Sequence, residues 1–341
     1  MPISLAIHGG AGAIPRSTRP SEVTPTLHAA LDDGMAVLRA GSPRCWEARH
    51  GLTTALSAAM AAVEVLEACP RFNAAVGSVL TTAGTAELEA SVMEGRDGRS
   101  GAVTGVTMVK SPTRLAALVL ATTPHVFLGG EGAATLAAAH RDELSWVGPA
   151  GNAEFVTPRR QEALRRALAD GRAVPTIDHE GADAREEGRS DGVQSSAGSA
   201  AASATTGTVG AVALDADGHL AVATSTGGLT AKWPGRIGDT PVIGAGFYAA
   251  DGVAAISGTG RGEALLTAAT AVSVVRAVEY TGVSVATAAD QVLGGMPAGT
   301  AGLVAVTPEG EVVLASNAAG MYCGGVDAAG RRRVRIWDED L

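Results

Sequence analysis

Aromatic side chains are nearly absent from this chain: Phe, Trp and Tyr make up 3% of its 341 residues, although 46% are apolar. The core must therefore be built from Ala, Val, Leu and Gly, which suits closely packed layers of small side chains. Cysteine is scarce too. Cys45, Cys69 and Cys323 are odd in number, and no spacing among them suits a disulfide framework or a metal site. The seven histidines are scattered, without an HExxH pair or a Cys/His cluster, and each reads as a surface or satisfied core residue. Positive charge is outweighed, with a net charge of −9, so the clustered Lys/Arg footprint of a nucleic-acid binder is missing. The one basic run, Arg331–Arg335, reads as a solvated tail strand. No apolar stretch approaches the ~20 uninterrupted residues of a membrane span. The N-terminal MPISLAIHGG has neither the charged region nor the apolar run of a secretion signal. A soluble, reduced, cytoplasmic protein with no nucleic-acid or membrane partner is expected.

What the chain does have is glycine. Its 45 glycines follow no collagen-like period, so they mark many short turns. The pattern predicts a strand at Ile3–Ile7 that ends in His-Gly-Gly-Ala-Gly, then helices over about Ser21–Arg39 and Cys45–Cys69. Alternating segments follow at Thr85–Gly95 and Gly101–Val109, and helices at Thr113–Ala121, Ala133–Arg141 and Pro158–Ala169. From Ala182 to Gly207 the composition changes. ADAREEGRSDGVQSSAGSAAASATTG holds one large apolar residue, Val193, too little to offset the entropy of ordering it, and reads as a flexible linker. Beyond it a hairpin is expected at Thr208–Thr226, strands at Gly244–Phe247 and Val253–Ser257, and helices at Gly262–Tyr280 and Val283–Leu293. A second hairpin should span Gly302–Ser316, turning at Pro308–Gly310. Each half thus offers a sheet and helices, and two sheets with helices outside them would bury both sheet faces.

The seam between linker and hairpin carries the chemistry. A three-residue turn at Ala216–Gly218 pairs Asp215 with His219, and counting back along both strands sets Thr208 opposite Thr226. Cross-strand threonine pairs are ordinary in sheets, and an interdomain linker is the plainest account of the stretch before them. A polar segment ending in glycine, followed at once by threonine at the start of a buried strand, is also what a self-processing N-terminal-threonine enzyme requires. A threonine hydroxyl is a weak nucleophile without an adjacent base. A free α-amine on the same residue, with an unperturbed pKa of ~7.7–8.0, can be that base. Exposing it means breaking the bond between Gly207 and Thr208, and Gly207 tolerates the unusual backbone geometry of self-attack.

Taken together, several segments resemble the plant-type L-asparaginase and isoaspartyl peptidase family of N-terminal nucleophile hydrolases. They are IHGGAGAI (Ile7–Ile14), CPRFNAAVGSVLT (Cys69–Thr81), ELEASVMEG (Glu87–Gly95), GTVGAVALD (Gly207–Asp215), ATSTGG (Ala223–Gly228), PGRIGDTPVIGAG (Pro234–Gly246), GTGRGE (Gly258–Glu263) and NAAGMY (Asn317–Tyr322). The resemblance implies a four-layer αββα sandwich and self-cleavage between Gly207 and Thr208. An α chain, residues 1–207, and a β chain, residues 208–341, would remain one folded unit, and two such units would form a dimer. It implies that Thr208 is the nucleophile, that Thr226 helps to activate it, and that Thr259 and the Gly260 amide form an oxyanion hole. Arg236 would bind the substrate α-carboxylate and Asp239 its α-ammonium, with Gly262 approaching through its backbone. Asn73 lies in the segment resembling the family's sodium loop, where the ion is held mainly by backbone carbonyls; no cofactor is required for the reaction. The implied substrate is small: asparagine or a β-aspartyl dipeptide.

The residues of the PGRIGDTP loop support the same reading independently. An Arg–Asp pair three residues apart is often a surface ion pair of little consequence. One cation and one anion are also the minimum needed to recognise an amino-acid zwitterion. The chain departs from the family pattern at Ala298–Gly302, Ala318, Cys323 and Trp233, which bears on substrate preference. Gly207 separates it from the glycosylasparaginase branch, where aspartate commonly precedes the threonine. Other readings are weaker. ISGTGRGE has its glycines in a G-x-G-x-G spacing rather than a dinucleotide fingerprint. His8-Gly9-Gly10 is like the oxyanion loop of α/β-hydrolases, but no G-x-S-x-G accompanies it. A non-catalytic binding protein with an uncut linker is the remaining alternative.

Overall fold

The computed structural model describes residues 2–169 and 207–337. Residues 182–206 of the expected linker lie outside the described residues. The chain opens on β1 (Ser4–Gly12), followed by α1 (Thr24–Ala40), α2 (Cys45–Arg49) and α3 (Thr54–Ala68). Next come β2 (Leu88–Glu94), β3 (Ser100–Val106), α4 (Pro112–Thr122), β4 (Phe127–Gly129), α5 (Gly130–Ala139) and α6 (Pro158–Ala169). Beyond residue 207 lie β5 (Val209–Leu214), β6 (Leu220–Thr226), β7 (Phe247–Ala250) and β8 (Ala254–Gly260). Three helices follow, α7 (Gly262–Ala268), α8 (Thr270–Thr281) and α9 (Val285–Gly294), and then β9 (Ala301–Val306), β10 (Val312–Ser316), β11 (Gly320–Val326) and β12 (Arg332–Arg335).

The strands form two sheets. The larger runs β12-β11-β1-β5-β6-β2-β3-β4 and the smaller β10-β9-β8-β7. In the larger sheet, strands from before and after the undescribed stretch interleave: β1 lies between β11 and β5, and β2 is hydrogen-bonded to β6. The β5–β6 hairpin has the expected register. Leu214 pairs with Leu220 and Val209 with Ser225, and one further step sets Thr208 opposite Thr226. Gly218 supplies the left-handed turn residue, φ 88°.

Alternation along the strands sorts side chains into separate apolar layers. Leu5, Ile7, Val209, Ala211 and Ala213 pack with Leu27, Leu31, Leu56 and Met60 of α1 and α3. The intervening residues Ala6, Val212, Leu214 and Val222 meet Phe247, Ala255, Val304 and Val306 of the smaller sheet. On that sheet's other face Ala254, Ile256, Leu303 and Ala305 pack with Val274, Val275 and Leu293 of α8 and α9. The strands β1, β5 and β8 are buried on both faces, as their near-continuous apolar sequences require.

Several boundaries differ from the sequence pattern. The helix expected over Cys45–Cys69 is two, because Gly51 turns left-handed (φ 68°) and Thr53 caps α3 by accepting from the Leu56 N–H. The helix expected over Gly262–Tyr280 breaks at Ala269, whose φ of 45° ends α7 and starts α8. The first strand does not stop before His-Gly-Gly-Ala-Gly but runs through it to Gly12, with a bulge between His8 and Gly10. Gly9 must be glycine, since a Cβ there would lie 2.3 Å from the Phe72 ring. The strand expected at Gly244–Phe247 begins only at Phe247.

Candidate active site

The layer between the sheets changes character along its strands. It is apolar at Ala6, Val212, Val222 and Ala255, and the same alternation then brings in His8, Thr208, Thr224, Thr226, Ser257 and Thr259. All six are buried. A run of hydroxyls in a dry layer is tolerated only if each finds a partner; Thr224 pairs with Ser91 and Ser257 with His8, while Thr226 and Thr259 meet at the Gly207–Thr208 peptide.

Its carbonyl oxygen, on Gly207, accepts from Asn73 Nδ2 at 2.8 Å and from Thr226 Oγ1 at 3.1 Å. The Thr208 N–H donates to Thr259 Oγ1 at 3.1 Å. The Thr208 carbonyl accepts from His8 Nδ1 at 2.8 Å, and the Thr259 hydroxyl reaches it at 3.4 Å. Thr208 Oγ1 lies 3.1 Å from Thr240 Oγ1, its one hydrogen-bond partner among the described residues. Thr226, expected to hydrogen-bond near Thr208 and help to activate it, donates to the Gly207 oxygen, and Thr240 lies beside the Thr208 hydroxyl. No titratable side chain among the described residues hydrogen-bonds that hydroxyl.

Asn73 reaches Gly207 from the loop between α3 and β2. Its amide also donates to Gly228 O at 2.8 Å, and its oxygen accepts from the Val79 N–H at 2.9 Å. Arg160 of α6, also buried, braces this loop by donating Nε–H to the Gly77 carbonyl.

The second cluster lies in the loop after β6. Asp239 is buried, and among the described residues its Oδ2 has no hydrogen-bond partner. Burial pushes its carboxyl up to about 7; Glu89 and Glu263 add to the rise, while Arg236 opposes it. Arg236 Nε and Nη2 lie 3.2 and 2.9 Å from Glu263 Oε1. It therefore pairs with Glu263 rather than with Asp239. Gly262 lies between these two side chains: a Cβ there would stand 2.6 Å from Arg236 Nη2 and 2.9 Å from Asp239 Oδ1. Beneath the loop, buried Glu89 accepts from the Gly238 N–H at 3.1 and 3.2 Å, and buried Lys232 donates to the Glu87 carbonyl at 2.8 Å. Burial raises the Glu89 pKa and lowers that of Lys232. Gly260 ends β8 at φ 137°, where a Cβ would lie 2.1 Å from the Thr300 carbonyl oxygen.

The structure thus gathers Asn73, Gly207, Thr208, Thr226 and Thr259 at one peptide, and Arg236, Asp239 and Gly262 at one side-chain cluster. Sequence reasoning missed Thr240, Glu89, Lys232 and the pair His8–Ser257. Glu89 was the most legible of these, as a carboxylate within an otherwise buried strand.

Among the described residues, no group of three or more His, Cys, Asp or Glu side chains suits a metal ion, and no helix is long and apolar enough to cross a membrane. The model of the family described as Asparaginase matches residues 1–336. The isoaspartyl peptidase of Salmonella typhimurium is 41% identical over 325 residues, 93% of each chain. The isoaspartyl peptidase/L-asparaginase of Homo sapiens is 36% identical over 315 residues, covering 92% of this chain and 89% of its own. The plant-type L-asparaginase of Pyrobaculum calidifontis is 35% identical over 326 residues, 94% of this chain and 96% of its own.

Proposed function

Because the chain belongs to the asparaginase family, we propose that it is a self-processing amidohydrolase acting on the β-amide of L-asparagine and on β-aspartyl dipeptides. The observation that carries this reading is the pair of donors, Asn73 and Thr226, on the Gly207 carbonyl oxygen next to the buried Thr208 hydroxyl. In the first stage Thr208 Oγ attacks the Gly207 carbonyl carbon, and the two donors stabilise the oxygen as it becomes negative. The C–N bond breaks, an ester links Gly207 to Thr208 Oγ, and water hydrolyses it. The products are the carboxylate of residues 1–207 and a free α-amine on Thr208.

That amine is the base for the second stage. Thr208 Oγ attacks the substrate β-carbonyl carbon, while the Thr259 hydroxyl and the Gly260 N–H hold the developing oxyanion. Ammonia, or the amino acid of a dipeptide, leaves with a proton, and water releases aspartate from the β-aspartyl ester. Arg236 exchanges its Glu263 partner for the substrate α-carboxylate. Asp239, with one oxygen unpartnered, receives the α-ammonium.

The two sheets with helices packed on their outer faces fit the four-layer αββα sandwich of N-terminal nucleophile hydrolases, and the working unit is a dimer of αβ units, which light scattering checks. The catalytic steps need no cofactor. In the loop around Asn73, the Asn73 amide donates twice and its oxygen accepts from Val79. That side chain does not fit a cation ligand, so a structural sodium ion there would rest on backbone carbonyls. Gly207 in place of aspartate favours this reading over a glycosylasparaginase-like one.

Intact mass of the denatured protein tests the proposal, with Thr208→Ala as the control. Wild type should give two species meeting at Gly207/Thr208, and the variant should give one inactive 33.9 kDa chain. A wild-type chain that stays whole would favour the binding-protein alternative.

A further inference from the structure

The buried imidazole of His8 has no part in the steps above, yet it touches the nucleophile's own residue. Its Nδ1 is 2.8 Å from the Thr208 carbonyl oxygen, and its Nε2 is 2.6 Å from Ser257 Oγ. A carbonyl oxygen only accepts, so Nδ1 carries the proton and donates it; Nε2 then accepts from the Ser257 hydroxyl. Burial pushes the imidazole down to about 4, which keeps the ring neutral. The space for this pair is made by Gly210, where a Cβ would lie 2.1 Å from Ser257 Oγ and 2.4 Å from His8 Nε2.

The place of this contact gives it meaning. The β1–β5 pairing ends at His8↔Gly210, so the Thr208 carbonyl lies just beyond the ladder. While the chain is continuous, Thr208 is also held by its bond to Gly207. After cleavage it is a chain terminus, and termini lose order unless something ties them down. Its amine and hydroxyl hang from one Cα, so both move if the carbonyl turns.

We propose that His8 and Ser257 form a positioning pair that holds the terminal Thr208 for turnover after the bond before it is cut, an inference that rests on the self-cleavage read above. Ser257 fixes the tautomer, and His8 delivers one N–H to the Thr208 carbonyl. The pair matters less for the cut, when Thr208 is still tethered on both sides, than for hydrolysis of substrate.

Two substitutions separate the ends of the ring. The amide nitrogen of His8→Asn stands near the position of Nδ1, and that of His8→Gln near Nε2. Both variants and Ser257→Ala are allowed to process fully, checked by denatured mass, and are then assayed on asparagine and a β-aspartyl dipeptide. His8→Gln should lose about tenfold in kcat with KM unchanged, and His8→Asn should recover most of that loss. Ser257→Ala should lower kcat several-fold, again with KM unchanged. Equal kcat in the two His8 variants, or wild-type kcat in His8→Gln, would overturn the proposal. If neither His8 variant folds, Ser257→Ala decides: an unchanged kcat overturns it. A fully cut wild-type protein that hydrolyses neither substrate would instead defeat the functional reading, and the inference with it.

Discussion

At the residue scale, Asn73 and Asp239 illustrate how burial converts ordinary side chains into specific tools. Asn73 is fixed by Val79 and Gly228 so that one N–H is left for the Gly207 oxygen. Asn73→Ala should fold and slow self-cleavage about 10²–10³-fold, as loss of one oxyanion donor does; the time course of the uncut band measures it. On the proposed reading, Asp239 is held in the dry state that a substrate ammonium would relieve. With its carboxyl raised to about 7, the free enzyme loses the ionised form as pH falls below that value. The acid limb of kcat/KM should therefore show a pKa near 7 that is missing from kcat, because bound ammonium keeps the carboxylate charged. The same shift opposes stability. Between the ordinary carboxylate range and pH 7 the folded state binds the extra proton, so this group's contribution falls as pH rises through that window and stays low above it. Asp239→Asn should raise the Tm of the unliganded protein at pH 8 while abolishing substrate binding. Both sides of this trade-off are read by a thermal melt with and without aspartate.

At the scale of single elements, strand alternation explains what could be read in advance. The β5–β6 register followed from the turn at Ala216–Gly218 alone, and the pairing of Thr208 with Thr226 follows from it. The Pro/Gly-bounded loop of Arg236 and Asp239 was equally legible, because turn residues mark loops and charges within loops stand out. Thr240 was not, since it becomes a neighbour of Thr208 only when that loop folds back on the sheet. His8 was not either: its partners are 200 and 249 residues away along the chain. The helix breaks at Gly51 and Ala269 were hidden for another reason. A left-handed residue inside an apolar pattern leaves the periodicity nearly unchanged, and only packing decides the break. The loop–helix junction at Gly262 yields a further prediction. Gly262→Ala would set a methyl 2.6 Å from Arg236 Nη2, so the guanidinium must move. KM should rise tenfold or more while self-cleavage proceeds at the wild-type rate, as steady-state kinetics beside a processing time course would show.

For the whole molecule, the order of strands governs what a cut at Gly207 can do. Strands β1 and β2 from the first half are hydrogen-bonded to β11, β5 and β6 from the second. Parting the two chains would break three ladders in the middle of a sheet buried on both faces. Cleaved protein should keep the native mass of uncleaved Thr208→Ala while splitting on a denaturing gel, as size exclusion and electrophoresis of one sample will show. Interleaving also changes the molecularity of folding. A continuous chain finds its native state by a first-order process at any dilution. The same molecule, once cut and unfolded, must find a separate partner, and its recovery becomes second-order and concentration-dependent. On the proposed self-cleavage, the enzyme would give up an easy way back to its fold at the moment it frees its α-amine base, and its lifetime afterwards would be set by how slowly it unfolds.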